Sequence, residues 1–236
     1  MKTNIVSGLL MIIAALVGVN QAWAETIAII GTGNVGTALG GRFAELGHEI
    51  IYGSRDPQRA DVQDLVARTS GDASAMEPAD AARGAGIVVV AVPFASVEAA
   101  VMSLGDLSGK IILDPTNAVR RDENGIRHHA AETSVGEMIQ GWAPNARVVK
   151  AFNTLSSETM TNPSSAGGTV TIPIVGNDPA AKAVVSGLVT GIGFDVVDMG
   201  TIESAHALEQ MLIVRGNAGV LGKPFNYYFR PVPPAQ

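Results

Sequence analysis

The order of apolar and polar positions along the chain predicts strands that alternate with helices. Short, nearly continuous apolar runs are typical of strands buried on both faces of a sheet, and apolar residues spaced three or four apart are typical of amphipathic helices. The predicted strands are 26–30, 49–52, 72–76, 86–92, 110–114, 147–152, 169–175 and 194–198. The predicted helices are 38–46, 61–70, 77–84, 96–104, 179–190 and 203–216, with one more helix capped by Thr133. This alternation indicates an α/β fold with a doubly wound, mostly parallel sheet.

Residues 1–24 differ from the rest and are typical of an export signal. Lys2 and the amino terminus give a positive start, an apolar run follows over 5–19, and Ala22-Trp23-Ala24 fits the small-x-small rule of signal peptidase. The apolar run is shorter than the roughly 20 residues that span a membrane. We therefore expect cleavage after Ala24 and a periplasmic or secreted protein without a stable membrane span. The alternative is an uncleaved N-terminal membrane anchor.

Composition narrows the classes of partner. The chain is 47% hydrophobic and 16% charged, with a formal net charge of −6, and removal of the signal takes away one Lys and no acid. Nucleic acids and anionic membranes need a basic protein face, so neither is an expected partner. The chain contains no Cys, which excludes a nucleophilic cysteine and a lipid-anchored lipoprotein.

A glycine-rich turn gives the first indication of function. The strand 26–30 runs into Gly31-Thr32-Gly33-Asn34-Val35-Gly36, and a helix and a second strand follow. In this context a G-x-G-x-x-G motif predicts dinucleotide binding. Gly31 permits the tight turn, Gly33 lets a pyrophosphate approach the backbone, and Gly36 lets helix and strand pack closely. We therefore predict a Rossmann domain over 25–166 and a small α/β extension over 167–236 that packs on it.

The end of the second strand indicates which dinucleotide binds. An NAD site usually carries Asp or Glu there, whereas this chain has Ser54 and Arg55, followed by Arg59. A hydroxyl and two guanidinium groups suit a 2′-phosphate, which predicts NADP. Asp56, with Pro57, is read as the start of the next helix. The alternative is a surface arginine in a Rossmann domain that has lost its ligand.

Three further loops follow strands at the same predicted edge of the sheet. Val92-Pro93-Phe94 suits a wall beside the nicotinamide, and Asn117 and Asn153 suit a shelf that faces the substrate, although a lone loop Asn more often stabilises its own turn. Lys150 is a candidate proton donor, but a lysine at a strand end is usually solvated. The histidines lack metal-ligand spacing, so no metal site is predicted; they are His48, in a turn, His128 and His129, in a predicted polar loop, and His206.

Together these motifs resemble the deazaflavin (coenzyme F420)-dependent NADP oxidoreductases. The resemblance rests on the glycine turn, Gly47-His48-Glu49, Gly53-Ser54-Arg55, Val92-Pro93, the segment 149–154 and the closing segment 225–230. It implies that 32–35 hold the pyrophosphate, that Ser54, Arg55 and Arg59 hold the 2′-phosphate, and that 92–94 line the nicotinamide. It also implies hydride transfer between NADP and a deazaflavin, and a related module passes electrons from NADPH to flavin in vertebrate transmembrane metalloreductases.

Three functions remain open from the sequence. The first is an NADP-dependent oxidoreductase that passes hydride between NADPH and a deazaflavin, flavin or similar acceptor. The second is an exported dinucleotide-binding or sensing protein without turnover of its own. The third is a small imine or carbonyl reductase with Lys150 or Asn153 in the proton path. The expected partners are a small-molecule substrate or second redox cofactor and, by analogy with the fold, a second copy of the chain.

Overall fold

The fold is an eight-stranded sheet covered by helices on both faces. The computed structural model describes residues 24–223, 226 and 228–230, and the strands of the sheet lie in the order β10-β9-β8-β5-β4-β1-β2-β3. The strands are β1 (Thr26–Ile30), β2 (Glu49–Gly53), β3 (Ala73–Met76), β4 (Ile87–Val90), β5 (Ile111–Asp114), β8 (Arg147–Lys150), β9 (Thr171–Gly176) and β10 (Asp195–Asp198). The helices are α1 (Asn34–Glu45), α2 (Ala60–Arg68), α3 (Pro78–Gly84), α4 (Phe94–Ser103), α5 (Val135–Trp142), α6 (Ser157–Thr161), α7 (Pro179–Gly191) and α8 (Ala205–Val220).

The predicted doubly wound fold is confirmed. β1 pairs in parallel with both β2 and β4, and β5 pairs in parallel with β4 and β8. The buried apolar side chains form two clusters, one on each face of the sheet. Because these strands run the same way, the loops that follow them meet at one edge, which is where ligands bind in open α/β sheets.

The C-terminal part of the chain continues the same sheet. β9 pairs antiparallel with β8, and β10 pairs in parallel with β9. Thr171 of β9 also forms a bridge with Phe229, and Arg230 donates to the Thr169 carbonyl at 2.7 Å. The two strands lie within the predicted extension over 167–236, and its boundary with the preceding domain stays a prediction.

A β-hairpin stands where the sequence predicted a polar loop. β6 (Val119–Arg121) and β7 (Arg127–His129) pair antiparallel, so the loop predicted around His128 and His129 is wrong. Both strands are rich in charged residues, and neither shows the apolar alternation from which strands are predicted. The hairpin instead gains its support from α8, against which β7 packs. The short helix α6 was not predicted either, because its five residues are too few to show the spacing of apolar residues that marks a helix.

Three predicted helix starts are also corrected. α1 begins at Asn34 rather than Ala38, because the last residues of the glycine turn already form the first helical turn. Asp56 does not start a helix: its carboxylate accepts the Gln58 N–H at 3.2 Å within a turn, and α2 begins at Ala60. The cap of α5 is Ser134 rather than Thr133.

Ser134 and Glu137 form a capping box at the start of α5. The Ser134 hydroxyl accepts the backbone N–H of Glu137, and the Glu137 carboxylate accepts that of Ser134. Two otherwise unpaired donors are thereby satisfied at the helix start. Thr133 lacks such a glutamate three residues later, which is why the neighbouring residue caps the helix.

The predicted signal lies outside the described residues, apart from Ala24. Export and cleavage after Ala24 therefore stay predictions, as does the alternative of a membrane anchor. None of the helices that the structure describes combines the length and the apolar character that a bilayer span requires. Most of the closing segment 225–236 is also outside the described residues.

Candidate functional site

The glycine turn has the geometry that its three glycines predict. Gly31 adopts φ +106°, and a Cβ there would lie 2.5 Å from the Ala91 carbonyl oxygen. A Cβ on Gly36 would lie 2.0 Å from the Gly31 carbonyl oxygen, so helix and turn can pack this closely only with glycine. Gly33 differs, because a Cβ there would meet nothing within 4 Å. Gly33 thus faces open space at the amino end of α1, and a ligand can approach the backbone there.

The start of α1 is suited to an anion. Gly33 occupies the N-cap position without a side-chain cap, and the first turn contains no acidic residue. The first N–H groups of a helix have no partner within the helix, and the helix dipole adds partial positive charge there. The turn can therefore bind a phosphate group through backbone donors.

A cleft of about 460 Å³ extends from this turn, and we call it the glycine-turn cleft. It runs between the turn, the loop after β2 and one face of α4 from Ala95 to Ser103. The predicted cofactor residues that line it are Gly31, Thr32, Gly33, Ser54, Arg55, Arg59, Val92 and Pro93. The phosphate-binding turn and the proposed 2′-phosphate loop therefore belong to one cavity.

The three predicted 2′-phosphate residues are in different states. Arg55 is exposed, and among the described residues its guanidinium group forms no salt bridge or hydrogen bond. Arg59 is held by Asp61 through two nitrogens, one of them at 3.0 Å from the carboxylate. The Ser54 hydroxyl donates to the Asp56 carbonyl at 3.0 Å and so shapes its own turn. Arg55 is consequently the residue of the three that is ready to bind an anion.

A second cleft of about 450 Å³ adjoins the first, and we call it the hairpin cleft. The two clefts share Gly33 and the segment 91–93. The remaining predicted residues that line it are Asn34, Val35, Phe94 and Asn117. Its other walls are Ala91, Val92, Pro93, Pro115, Thr116, Val119, Arg121, Arg127 and Leu212. The hairpin cleft thus has a mainly apolar floor and two arginines from the β6–β7 hairpin.

Asn117 and Asn153 lie together, but their amides bind each other. The Asn153 amide donates to the Asn117 side-chain oxygen at 2.9 Å, and the Asn117 amide donates to the Asn153 carbonyl at 3.1 Å. Asn117 lines the hairpin cleft, whereas Asn153 is buried behind it. The pair therefore joins the loops after β5 and β8, and only Asn117 faces the cleft.

The backbone at Phe152 holds this junction in place. Phe152 adopts φ +66°, a conformation that costs a non-glycine residue about 1–3 kcal/mol. Its ring packs edge-on between Phe43 and Phe194, with centroid distances of 6.4 and 6.2 Å. This packing stabilises the left-handed turn that brings Asn153 back towards Asn117.

Lys150 is buried, so the prediction that it is solvated is wrong. Its ammonium group lies 2.6 Å from the Asp114 carboxylate and 2.9 Å from the Glu209 carboxylate, and it donates to the Thr116 carbonyl at 2.8 Å. Burial lowers the pKa of Lys150, but the two carboxylates outweigh burial and the pKa is raised. A lysine held protonated in this way positions the loop after β5 rather than supplying a proton.

Glu209 connects this ion pair to three other elements. One carboxylate oxygen accepts the Val135 N–H at 2.8 Å; the other accepts the Ala118 N–H at 2.9 Å and lies 3.0 Å from His129 Nε2. His129 Nδ1 faces the Ala131 carbonyl at 2.7 Å, which can only accept a hydrogen bond. Asp114, Glu209, Lys150 and His129 are thereby joined in one network of buried polar contacts. We call these four residues the buried charge network.

The buried charge network and the hairpin arginines were not predicted from the sequence. One signal was present: Glu209 interrupts an apolar helix face that includes Ala205, Leu208 and Ile213. A carboxylate on a buried face requires a cation or several donors. The partners of Glu209 are 59 to 91 residues away in sequence, and no local pattern identifies them.

Comparison with known proteins agrees with this geometry. The family model described as NADP oxidoreductase, coenzyme F420-dependent, matches residues 26–118. A solved structure from Arthrobacter sp. FB24, which bears the name of an F420-dependent NADP reductase, is 36% identical and superposes with a TM-score of 0.79. The alignment covers 88% of this chain and 100% of that one. This chain belongs to the coenzyme F420-dependent NADP oxidoreductase family.

Two curated relatives extend the family likeness. The F420-dependent NADP reductase of Methanothermobacter thermautotrophicus is 30% identical over 57% of this chain and 63% of its own length. The rat metalloreductase STEAP3 is 28% identical over 79% of this chain and 36% of its own length. The chain thus spans between about a third and two thirds of these relatives. Family membership confirms the predicted resemblance and the Rossmann fold, and the family is one of NADP-dependent oxidoreductases, as the resemblance implied.

Proposed function

We propose that the chain binds NADPH in the glycine-turn cleft and passes its hydride to a deazaflavin, flavin or similar acceptor in the hairpin cleft. The observation that carries this proposal is the junction of the two clefts at Gly33 and the segment 91–93. A dinucleotide anchored at Arg55 and at the glycine turn has its nicotinamide end at this junction. A ring stacked on the apolar floor of the hairpin cleft would then lie beside it.

The residues of the clefts bind and orient the two ligands rather than react with them. When bound, the dinucleotide supplies a hydride from the nicotinamide and the acceptor ring takes up that hydride together with a proton from solvent. The amino end of α1 holds the pyrophosphate, and Arg55 holds the 2′-phosphate. Val92, Pro93 and Phe94 exclude water from one side of the reacting rings, and holding the two rings in register lowers the entropic part of the barrier.

A small imine or carbonyl reductase is less well supported by the site. Such a reaction needs a proton donor at the new alcohol or amine. Among the described residues that line the hairpin cleft, none is a histidine, tyrosine, lysine or carboxylic acid. Lys150 and Asn153, the sequence candidates for this role, are buried behind the cleft wall.

The proposed function is tested by NADPH binding followed by turnover. We expect the purified protein to bind NADPH much more tightly than NADH in a fluorescence titration, and to oxidise NADPH when coenzyme F420, FMN or FAD is added. Absorbance at 340 nm measures the reaction. Tight NADPH binding without oxidation by any of these acceptors would contradict the proposal and favour an exported dinucleotide-binding or sensing protein.

Arg55→Glu should weaken NADPH binding far more than NADH binding. The lost charge-assisted hydrogen bond to the 2′-phosphate is worth about 1.5–3 kcal/mol, which corresponds to roughly 10- to 150-fold in Kd before repulsion is counted. Parallel titrations with both dinucleotides measure the difference. Arg68→Glu is the matched control, because Arg68 is an exposed arginine of the following helix that does not line the cleft. Equal weakening of NADPH and NADH by Arg55→Glu would show that this loop does not contact the 2′-phosphate.

A further inference from the structure

Two arginines of the β6–β7 hairpin line the hairpin cleft, and a third arginine, Arg215 of α8, lies near them. Arg121 of β6 and Arg127 of β7 are directly opposite each other in the hairpin, and both line the cleft. The pKa of Arg127 is lowered, first by burial, then by the charge of Arg121 and then by the charge of Arg215 of α8. Like charges directly opposite in a strand pair are destabilising. The hairpin therefore holds positive charges together at an energetic cost.

No carboxylate within the described residues balances these charges. None of the three guanidinium groups forms a salt bridge there. Asp122, the acid nearest in the hairpin, pairs with His128 at 2.9 Å and also accepts two backbone N–H groups in the turn. Glu209 is taken up by the buried charge network. The positive charge at the cleft is thus available to a ligand.

Arg127 is fixed in place rather than mobile. Asn217 of α8 accepts its backbone N–H at 2.7 Å and donates to its carbonyl at 2.9 Å. Its guanidinium group lies against the backbone of Gly216, where a Cβ would come within 1.8 Å of a guanidinium nitrogen. Because Asn217 anchors the backbone of Arg127 and α8 packs against its guanidinium group, the side chain loses less conformational entropy on binding an anion.

We propose that Arg121 and Arg127 bind an anionic tail on the acceptor and make the site select charged acceptors over neutral ones. The inference rests on the proposed function, because it places the acceptor ring on the apolar floor of the same cleft. The ring would lie near Val92 and Phe94, and a phosphate, phosphodiester or carboxylate on its side chain would reach the two arginines. Arginine suits such groups, since its planar donors match their oxygens in pairs.

The test compares two acceptor pairs that share a ring and differ in charge. The first pair is FMN and riboflavin, and the second is coenzyme F420 and its neutral precursor without the phosphodiester tail. Flavin or deazaflavin fluorescence measures the Kd of each with protein saturated by NADP⁺, so no turnover is needed. We expect the anionic member of at least one pair to bind tenfold or more tightly. In the double variant Arg121→Gln/Arg127→Gln, that preference should fall to about twofold or less.

Two controls make the outcome specific. Arg120→Gln removes one positive charge from β6 at a position that does not line the cleft, and it should leave the preference for the anionic acceptor unchanged. The double variant should unfold at the same temperature or a higher one, because repulsion between the arginines is relieved, and its NADPH affinity should be unchanged. The proposal is overturned if neither pair shows tighter binding of its anionic member, or if the double variant keeps that preference. It is also overturned if the double variant loses affinity for NADPH as much as for the anionic acceptor. Preference for the anion without turnover would instead overturn only the proposed reaction.

Discussion

Gly33→Val should abolish the binding of both NADPH and NADH while the protein stays folded. Gly33 has φ −76° and ψ −174°, an extended conformation that valine adopts readily, and a Cβ at this position meets no protein atom within 4 Å. The valine methyl groups therefore occupy the space at the amino end of α1 that a pyrophosphate needs. We expect a loss of affinity above about 100-fold, or roughly 2.7 kcal/mol, for each dinucleotide.

The measurement is a pair of fluorescence titrations together with circular dichroism and thermal unfolding. Gly41→Val is the matched control, because Gly41 lies on the same helix and a Cβ there also meets nothing within 4 Å. It should bind both dinucleotides like the unmodified protein. If Gly33→Val still binds NADPH, the glycine turn is a structural feature of the fold and the phosphate lies elsewhere.

Lys150→Met should destabilise the fold by about 3–5 kcal/mol. The change leaves Asp114 and Glu209 buried without their cation, and a buried unpaired charge costs far more than the ion pair itself contributes. The free energy of unfolding in urea measures the loss. The control is Lys182→Met, since Lys182 pairs at 2.8 Å with Asp198, whose side chain is 52% exposed. Such a surface pair is worth about 1 kcal/mol or less.

A second variant distinguishes charge from packing. In Lys150→Met/Glu209→Gln one of the two carboxylates left without Lys150 is replaced by a neutral amide, so part of the lost stability should return. A loss below about 1 kcal/mol for Lys150→Met, or a double variant less stable than the single one, would show that the buried charge network does not stabilise the fold through its ion pairs.

The sequence predicted the strands and the turn that are encoded by residues adjacent in the chain. β1, β2, β4 and β5 are apolar runs, and their observed bounds lie within two residues of the predicted ones. The glycine turn was predicted from residues that are adjacent in the chain. The residues predicted to bind the cofactor all line one of the two clefts except Gly36, which is buried, and their role in binding stays a prediction.

The hairpin wall of the hairpin cleft was not predicted because its signals in the sequence are weak or distant. The β6–β7 hairpin did carry one, since Asn124-Gly125 is a common turn sequence and Gly125 has φ +78°. Its strands, however, show three charged or polar residues out of three in β7 and two out of three in β6. The burial of Lys150 was not predicted because a lysine at the end of a strand is exposed to water unless acidic side chains pair with it. Its partner Glu209 lies 59 residues later in the chain, so no local pattern shows the pair.

The two clefts differ in when they become complete during synthesis. Every described residue that lines the glycine-turn cleft precedes residue 104, whereas the hairpin cleft needs the β6–β7 hairpin and Leu212 of α8. The Ala118 N–H and the Arg127 N–H find their side-chain acceptors 91 and 90 residues later, and long-range contacts of this kind form late in folding. The hairpin cleft therefore cannot be complete before α8 has been synthesised and packs against β7.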